Sequence, residues 1–381
     1  QVLDSVREMW DSKGAEAGRV PRSLDDDPTP AGEGTPVLEE LIAGQLGEKF
    51  DGEYGGWGTD AKFPLPGTVE FALKREREQA LRTLDAVRDH LFDEVEGGFF
   101  RFAERRDWGN VHREKVLDAN AALVRAFANG YLYSGESAYR RPADETVGFL
   151  VDELWTGRAF GGSVGPATGR DAEYYALDAD ERADEPSPRV DYTAFAGGNA
   201  LAADALLTYH AYTDDERAGE YADRTLAFLS EQLVDDGVVT HYRDGDEVGA
   251  TRLLEAQART LAAFTRSAQV RGTGLDEARA VADATLELRT DGGAFRDAVP
   301  EGSGLLDRPL RPLDGNVDAA DALLDLWLLT AETKYRQAAH DAIAAFAGAA
   351  DRIGVQVAGY GGVAARLCRD PLVVETPAAG T

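Results

Sequence analysis

The sequence has very few of the residues that carry redox or metal chemistry. Its 381 residues include one cysteine, Cys368, and five histidines. A single cysteine excludes an internal disulfide, a CxxC redox pair and a cysteine-rich zinc site. No His/carboxylate cluster has metal-ligand spacing, and the sequence contains neither a phosphate-binding loop nor a dinucleotide fingerprint. We therefore expect no metal and no cofactor.

Long apolar runs are also missing. No stretch approaches the roughly 18 residues needed for a membrane span, and no signal-peptide pattern is present. We therefore expect a cytoplasmic protein that does not bind membranes. The hydrophobic fraction of 43% is nevertheless large enough for a sizeable core.

Positive charge is scarce, and lysine is scarcer than arginine. The chain has 40 Lys and Arg against 69 Asp and Glu, which gives a formal net charge of -29. Such a surface would be repelled by nucleic acid and by anionic membranes. We interpret the acidic, lysine-poor balance as adaptation to high salt, with a dedicated basic partner as the alternative.

The chain contains an internal repeat that predicts helical hairpins. Four Ala-rich helical segments begin with an amide residue, and each is followed by a short polar turn and a second helix. Short turns between helices indicate antiparallel hairpins. The four segments are Asn120–Phe127, Asn199–Leu206, Gln257–Phe264 and Asn316–Leu323.

Glycine-containing pairs follow the second helices and are interpreted as left-handed helix ends. These stops are Gly55–Trp57, Gly97–Phe99, Gly161–Gly162, Asp236–Gly237, Gly292–Phe295 and Gly361–Gly362. They raise the number of hairpins to six. The first would run through Val2–Trp10 and Val37–Phe50, and the second through Thr68–Glu78 and Leu81–Val95.

Six such hairpins predict an all-α fold, an (α/α)6 toroid that forms one domain over residues 1–381. Small residues let the inner helices crowd around an axis, while the outer helices keep one polar face. An open solenoid is the alternative. We favour closure because the hairpins number six and the last repeat has no polar capping face.

The links from outer to inner helices are long, and a toroid would gather them on one rim, beside the N-termini of the inner helices. Long loops on a rigid scaffold are where function concentrates, and helix N-termini favour anionic or hydroxylic ligands. The five links cover residues 57–67, 99–116, 161–193, 238–252 and 294–317.

The rim loops hold aromatic residues beside carboxylates and amides, a combination that suits sugars. His112 and Glu114 are the candidate proton donors or acceptors. The candidate substrate-binding residues are Trp57, Lys62, Arg101, Asp107, Trp108, Asn120, Asp171, Tyr174, Tyr175, Asn199, His241 and Asn316.

Each of these residue types also has a structural interpretation. Trp57 and Trp108 could simply plug the end of the barrel, and single carboxylates could be solvated surface charges. Glu114 could interact with a helix dipole. The stretch Gly161–Gly165 matches G-x-S-x-G, but a helix precedes it where a nucleophile elbow requires a strand.

Several motifs occur in an order that resembles a known family. They are Ala61-Lys-Phe-Pro64, Gly97-Gly-Phe99, Asp107-Trp108 and the segment from His112 to Ala121. In this order they resemble the thioredoxin-domain proteins related to spermatogenesis-associated protein 20. The sequence departs from the family pattern at Leu65, Phe100, Asp118, Ala119 and Gly198.

The resemblance implies a six-hairpin toroid similar to N-acylglucosamine 2-epimerases and six-hairpin glycosidases. It also implies a thioredoxin-like domain before the toroid, which we expect to be absent from this chain because the sequence starts at Gln1 and has no CxxC pair. The expected function is therefore a carbohydrate-active or sugar-binding protein with a sugar-like ligand. The alternative is a non-catalytic toroid that serves as partner or scaffold for a thioredoxin-like domain.

Overall fold

The fold is seen in a computed structural model that describes residues 23–24, 28–167, 170–300 and 309–371. The predicted helix Val2–Trp10 lies outside these residues. Twelve long helices occur in the described part. In chain order they are α1 (Val37–Lys49), α2 (Pro66–Leu73), α3 (Arg77–Leu91), α4 (Leu117–Ser134), α5 (Ser137–Phe149), α6 (Ala196–Thr213), α7 (Glu216–Phe228), α8 (Leu254–Val270), α9 (Leu275–Leu286), α10 (Leu313–Thr330), α11 (Thr333–Ala344) and α12 (Gly359–Cys368).

The even-numbered helices form a closed inner ring. Each packs on the next, from α2 through α4, α6, α8 and α10 to α12, and α12 packs back on α2. The odd-numbered helices pack outside their partners. Alanine and glycine are frequent among the buried residues of the ring, as in α6, because small side chains let neighbouring helices approach. The prediction of an (α/α)6 toroid is confirmed.

The ring closes through a pairing that the sequence did not predict. Helix α1 packs against α12, so the outer partner of the last inner helix comes from the beginning of the chain. Gly361 was expected to end a helix but lies inside α12. A Cβ there would come within 3.1 Å of Ile42 and Phe71, so glycine allows this close contact.

Short turns connect the helices of the five consecutive hairpins, from α2–α3 to α10–α11, as predicted. Gly135, Asp214 and Ala331 adopt left-handed backbone conformations, and their N–H groups cap α4, α6 and α10. Because every hairpin reverses the chain, all six inner helices run in the same direction. The end of the ring where they begin is called the N-terminal rim below.

Most double glycines do not cap helices. Helix α3 ends at Leu91, and Gly97 and Gly98 follow in a tight turn with φ values of 71° and 77°. This turn brings Phe99 back beside Phe92 in an antiparallel bridge. Gly161 lacks the left-handed conformation and instead lies against the carbonyl of Asp191, which a Cβ would approach to 2.6 Å.

The long links carry short strands and helical turns. The strand pairs are Phe102–Ala103 with Val111–His112, Val234–Asp235 with Val238–Val239, and Ser23–Leu24 with Leu310–Arg311. Two sheets of three strands are Lys115–Val116, Ser163–Val164 and Val190–Asp191, and Ala194–Phe195, Tyr242–Asp244 and Glu247–Val248. Helical turns cover Leu150–Leu154, Asp171–Tyr174, Ala179–Ala183, Leu229–Leu233, Ala347–Arg352 and Val355–Val357.

Candidate functional site

The recurring amide residues hold the fold together. Asn120, in the first turn of α4, accepts a hydrogen bond from the Phe99 N–H at 2.6 Å. Its Nδ2 donates to the carbonyls of Phe99 at 3.1 Å and Val116 at 2.9 Å. The side chain is fully buried. Its expected role in ligand binding is therefore corrected to a structural one.

The same arrangement, called an amide clamp below, recurs at three other inner helices, α6, α8 and α10. Asn199 binds both backbone groups of Phe160, and Asn316 binds both backbone groups of Phe295. Gln257 accepts from Val239 N–H and donates to the Gly237 carbonyl. Each amide bonds to backbone N–H and C=O groups that face away from the preceding β-bridge or strand pair. Without the amide these groups would be buried without hydrogen-bond partners. Asn199 and Asn316 are accordingly corrected to structural residues as well.

Lys62 is also structural. Its Nζ lies 2.9 Å from Asp51 and donates to the carbonyls of Gly55 and Gly58, and its side chain is fully buried. Arg106 completes this cluster with two hydrogen bonds to Asp51, at 2.8 and 2.9 Å. Burial raises the pKa of Asp51, but Arg106 and Lys62 outweigh it and hold this pKa well below its usual range. No donor of Lys62 is left for a ligand.

A second cluster of the same design explains the two adjacent tyrosines. Lys115 lies 2.7 Å from Asp93, and Arg182 binds Asp93 at 2.8 and 3.0 Å. Tyr174 and Tyr175 pack against the Arg182 guanidinium, with ring centres 5.4 and 5.1 Å away. Tyr174 is 4% exposed, so it covers the cluster and cannot stack on a sugar.

The two rim tryptophans lie in the core. Trp57 is 3% exposed and Trp108 is 2% exposed. Trp108 Nε1 donates to the Tyr54 carbonyl at 2.9 Å, and its ring stacks on His90. Neither ring offers a free face, so the prediction that they stack on a ligand is corrected to the alternative of a packed barrel end.

His112 and Glu114, the candidate proton donors or acceptors, have different partners. His112 Nε2 lies 2.6 Å from Glu104, and its ring stacks on Phe102 in an exposed hairpin. Glu114 pairs instead with Arg101 at 2.9 Å. His112 lies outside both cavities described below, whereas Glu114 lines the smaller one.

Asp107 stabilises a turn of the rim. Its carboxylate accepts from the Gly109 N–H at 3.1 Å and pairs with Arg105. The hydrogen bond from Arg105 is the main reason that the pKa of Asp107 is lowered. Asp171 begins a helical turn on the same rim, but its side chain is outside the described part of the structure.

A cavity of about 330 Å³ lies on the N-terminal rim, between the first turns of α4, α6 and α8. Asp118 and Arg259 form an ion pair of 2.5 Å across it. This pair passes over Gly198, where a Cβ would come within 2.6 Å of Asp118. The polar residues lining this rim pocket are Glu114, Asp118, Ser163, Asp191, His241, Glu255 and Arg259.

Of the predicted site residues whose side chains the structure describes, the rim pocket brings together two, Glu114 and His241. His241 Nδ1 is buried and has no hydrogen-bond partner among the described residues. Asp118 and Arg259 were missed as binding residues because they lie far apart in sequence and meet only when α4 and α8 flank α6.

A larger cavity of about 680 Å³ lies along the axis of the ring. One charged side chain from each inner helix forms a ring at this level, and the signs alternate around it. Five of the six line the cavity, whereas Asp204 is buried behind the wall and pairs with Arg125 and Arg266. Aromatic and amide side chains complete its wall, among them Tyr133, Tyr212, Trp327, Asn129 and Gln269. The charge ring consists of Glu70, Arg125, Asp204, Arg266, Asp325 and Arg366.

Ion pairs link neighbouring members of this charge ring. Arg125 binds Glu70 at 2.7 and 3.0 Å and also contacts Asp204. Arg266 Nε binds Asp204 at 2.8 Å. Burial raises the pKa of Asp204, but Arg266 and Arg125 outweigh it and lower the net value.

The last arginine of the charge ring, Arg366, contacts both Asp321 and Asp325. These two aspartates lie on one face of α10, together with Asp318. Their spacing of i, i+3 and i+7 was the sequence signal that could have identified this wall.

Asp318 differs from the other carboxylates of the axial cavity. It lies in the first turns of α10, is open to the cavity, and makes no hydrogen bond or ion pair within the described residues. Enclosure by the ring raises its pKa to about 6, although Arg259 and Arg125 act in the opposite direction. A carboxyl group with such a pKa can exchange a proton near neutral pH.

Metal-ligand clusters and helices able to span a membrane are both absent from the described residues. No group of three His, Cys, Asp or Glu side chains in them could hold a metal ion. None of the described helices is both long and apolar enough to cross a membrane.

Comparison with known sequences confirms the resemblance expected from the motifs. The chain is 33% identical over 127 residues to human spermatogenesis-associated protein 20, and 32% identical over 119 residues to the Mus musculus protein. These matches cover 29% and 28% of this chain but only 16% and 15% of the relatives. No family model matches the sequence.

Solved structures with the same fold include several sugar enzymes. A sugar epimerase from a ruminal bacterium superposes with a TM-score of 0.65 at 11% identity, over 80% of this chain and 85% of that one. Cellobiose 2-epimerase from Spirochaeta thermophila gives 0.60 at 18% identity, over 81% and 84%. A family 76 glycoside hydrolase, a mannosidase from Bacteroides thetaiotaomicron, gives 0.57 at 11% identity, over 85% and 98%. At these identities the likeness concerns the fold.

Proposed function

We propose that this protein is carbohydrate-active or sugar-binding and that its ligand occupies the axial cavity. The charge ring is the observation that carries the proposal. Arginine donors lie beside the carboxylate acceptors Glu70 and Asp325 on the wall, and Thr208 and Tyr212 add hydroxyl groups. A sugar hydroxyl can accept from one such group and donate to the next. A volume of about 680 Å³ is in the range of small-molecule sites. The sugar epimerases and glycoside hydrolase that share the fold support the same class of ligand.

The rim pocket is the second part of the proposed site. Arg259 pairs with Asp118 in this pocket, and its positive charge also lowers the pKa of Asp318 in the axial cavity. Glu114 and His241 therefore stay in the proposal as contacts for a ligand that extends toward the rim. Arg101 and His112 are exposed beside it and stay as peripheral contacts. The reaction is left undefined, since the structural neighbours include both epimerases and hydrolases.

Titration calorimetry with neutral monosaccharides and disaccharides tests the proposal. Asn129→Ala and Gln269→Ala each remove an amide from the cavity wall without removing a member of the charge ring. Loss of one ligand hydrogen bond should weaken binding by about fivefold. Asp276→Asn is the control, because that side chain is 96% exposed on an outer helix.

Two results would contradict a sugar site in the axial cavity. The first is the absence of binding by every sugar of the panel in a buffer that keeps the protein folded. The second is binding that neither wall variant weakens, which would place the ligand elsewhere.

A scaffold for a thioredoxin-like domain is the second candidate function. A stack of three rings on the rim favours it, because Phe63, Phe102 and His112 lie face to face at 4.7 and 4.2 Å. Phe63 is 41% exposed and could be covered by a partner domain. Phe63→Ser should then weaken binding of an isolated thioredoxin-like domain, and an unchanged affinity would contradict this alternative.

We also propose that the acidic balance reflects a salt-rich cytoplasm. Carboxylates on the outer helices and on the helical turns that follow them are open to solvent, such as Glu220 and Asp152, with side chains that are 68% and 67% exposed. High salt screens the repulsion between such charges.

A further inference from the structure

The charges of the axial cavity also indicate which sugars fit it. We infer that the ligand is an amino sugar whose ammonium group binds Asp318, a conclusion that rests on the proposed function. The inference follows from which charges of the cavity already have partners and which do not.

Every arginine of the charge ring is already matched by acceptors. Arg125 binds Glu70 and Asp204, and Arg266 binds Asp204 and the Gln269 side chain. Arg366 contacts Asp321 and Asp325. An anionic sugar would have to break one of these pairs, and removing one partner from an enclosed pair is costly.

Asp318 is the unmatched carboxylate at the inner end of the cavity, within the part of the chain that the structure describes. The charged groups that face it are Arg259 from α8, Arg125 from α4, and Asp314 and Asp321 from its own helix. Both arginines are paired with other carboxylates. An incoming ammonium group would give Asp318 the partner that it lacks.

The opposite end of the cavity carries charges of both signs. Lys74 directly follows α2, at the end of the ring opposite Asp318, and is exposed at the cavity mouth together with Asp370. Lys74 and Asp370 have opposite charges, whereas Asp318, which is also exposed, forms no ion pair within the described residues. The inner end, with Asp318, therefore decides the charge of the ligand.

Calorimetry with three related sugars tests the inference. Glucosamine carries an ammonium group where glucose carries a hydroxyl, and glucuronate carries a carboxylate. At pH 7 we expect glucosamine to bind at least about tenfold more tightly than glucose, and glucuronate to bind more weakly. Asp318→Asn should abolish the preference for the amine, Asp318→Glu should restore part of it, and Asp276→Asn should leave it unchanged.

The pH dependence gives a second readout. The preference for glucosamine should decline as the pH falls through about 6, where Asp318 becomes protonated. Glucose affinity should change less over the same range.

The possible results separate the two proposals. Equal affinities for glucose and glucosamine, or a preference that survives in Asp318→Asn, would overturn the amino-sugar inference and leave a sugar site in place. Failure of all three sugars to bind would overturn both.

Discussion

The substitution Asn120→Ala tests whether the buried amides stabilise the toroid. In the native structure the Phe99 N–H and C=O groups face away from the bridge to Phe92, and among the described residues they bond only to the Asn120 side chain. Alanine removes both partners at a fully buried position. The two backbone groups would then be left without hydrogen bonds in the core.

The expected loss follows from those two groups. Each buried polar group that loses its partner costs about 1–3 kcal/mol, so Asn120→Ala should lower the free energy of unfolding by about 2–6 kcal/mol. At roughly 2 °C per kcal/mol for a large domain, the melting temperature should fall by about 4–12 °C. Asn199→Ala and Asn316→Ala should give similar losses, because their clamps have the same geometry.

Thermal unfolding followed by circular dichroism measures this effect. Gln337→Ala is a suitable control, since within the described part of the chain the only hydrogen bond of this exposed amide is to Asp341 on its own helix. A shift at Asn120 no larger than that of the control would refute the clamp. So would a variant that keeps full stability but loses sugar binding, because that result would return Asn120 to the ligand site.

The remaining predictions concern Asp318 and salt. The pKa of Asp318 is raised to about 6 in the folded protein from an ordinary value of 3.8, so its contribution to stability is largest below pH 4 and is lost as the pH rises through 6. Asp318→Asn should therefore raise the melting temperature above pH 6 and have little effect below pH 4, and an equal effect at both pH values would contradict the raised pKa. Separately, the melting temperature should rise from 0.2 M to 2 M KCl at roughly constant pH; a fall or no change would contradict salt adaptation.

The helical repeat was predictable because each helix shows in the residue pattern of its own short segment. Ala-rich segments with a leading amide recur at Asn120, Asn199, Gln257 and Asn316, and the helices that they predict are those of the inner ring from α4 to α10. The role of the amides was not predictable in the same way. A buried amide that bonds to backbone and an exposed amide that binds a sugar look alike in a sequence.

The position of the site was harder to predict than the fold. Unusual residues in the rim loops, such as Lys62 and Trp108, turned out to be buried parts of the loop structure. The charged cavity wall is built from residues within the inner helices. These residues have ordinary spacings, and Arg125 and Asp204 contact each other only because α4 and α6 are neighbours in the ring.

The sequence alone determined the class of fold, the direction of the inner helices and the acidic balance, because periodicity, turns and composition are local properties of the chain. Only the tertiary structure decided how the ring closes, through α1 against α12, and which charges face its axis. The first depends on contacts between residues hundreds of positions apart, and the second on ion pairs between residues 41 to 79 positions apart. A local sequence pattern does not show which helices are neighbours in the ring, or which carboxylates have an arginine partner.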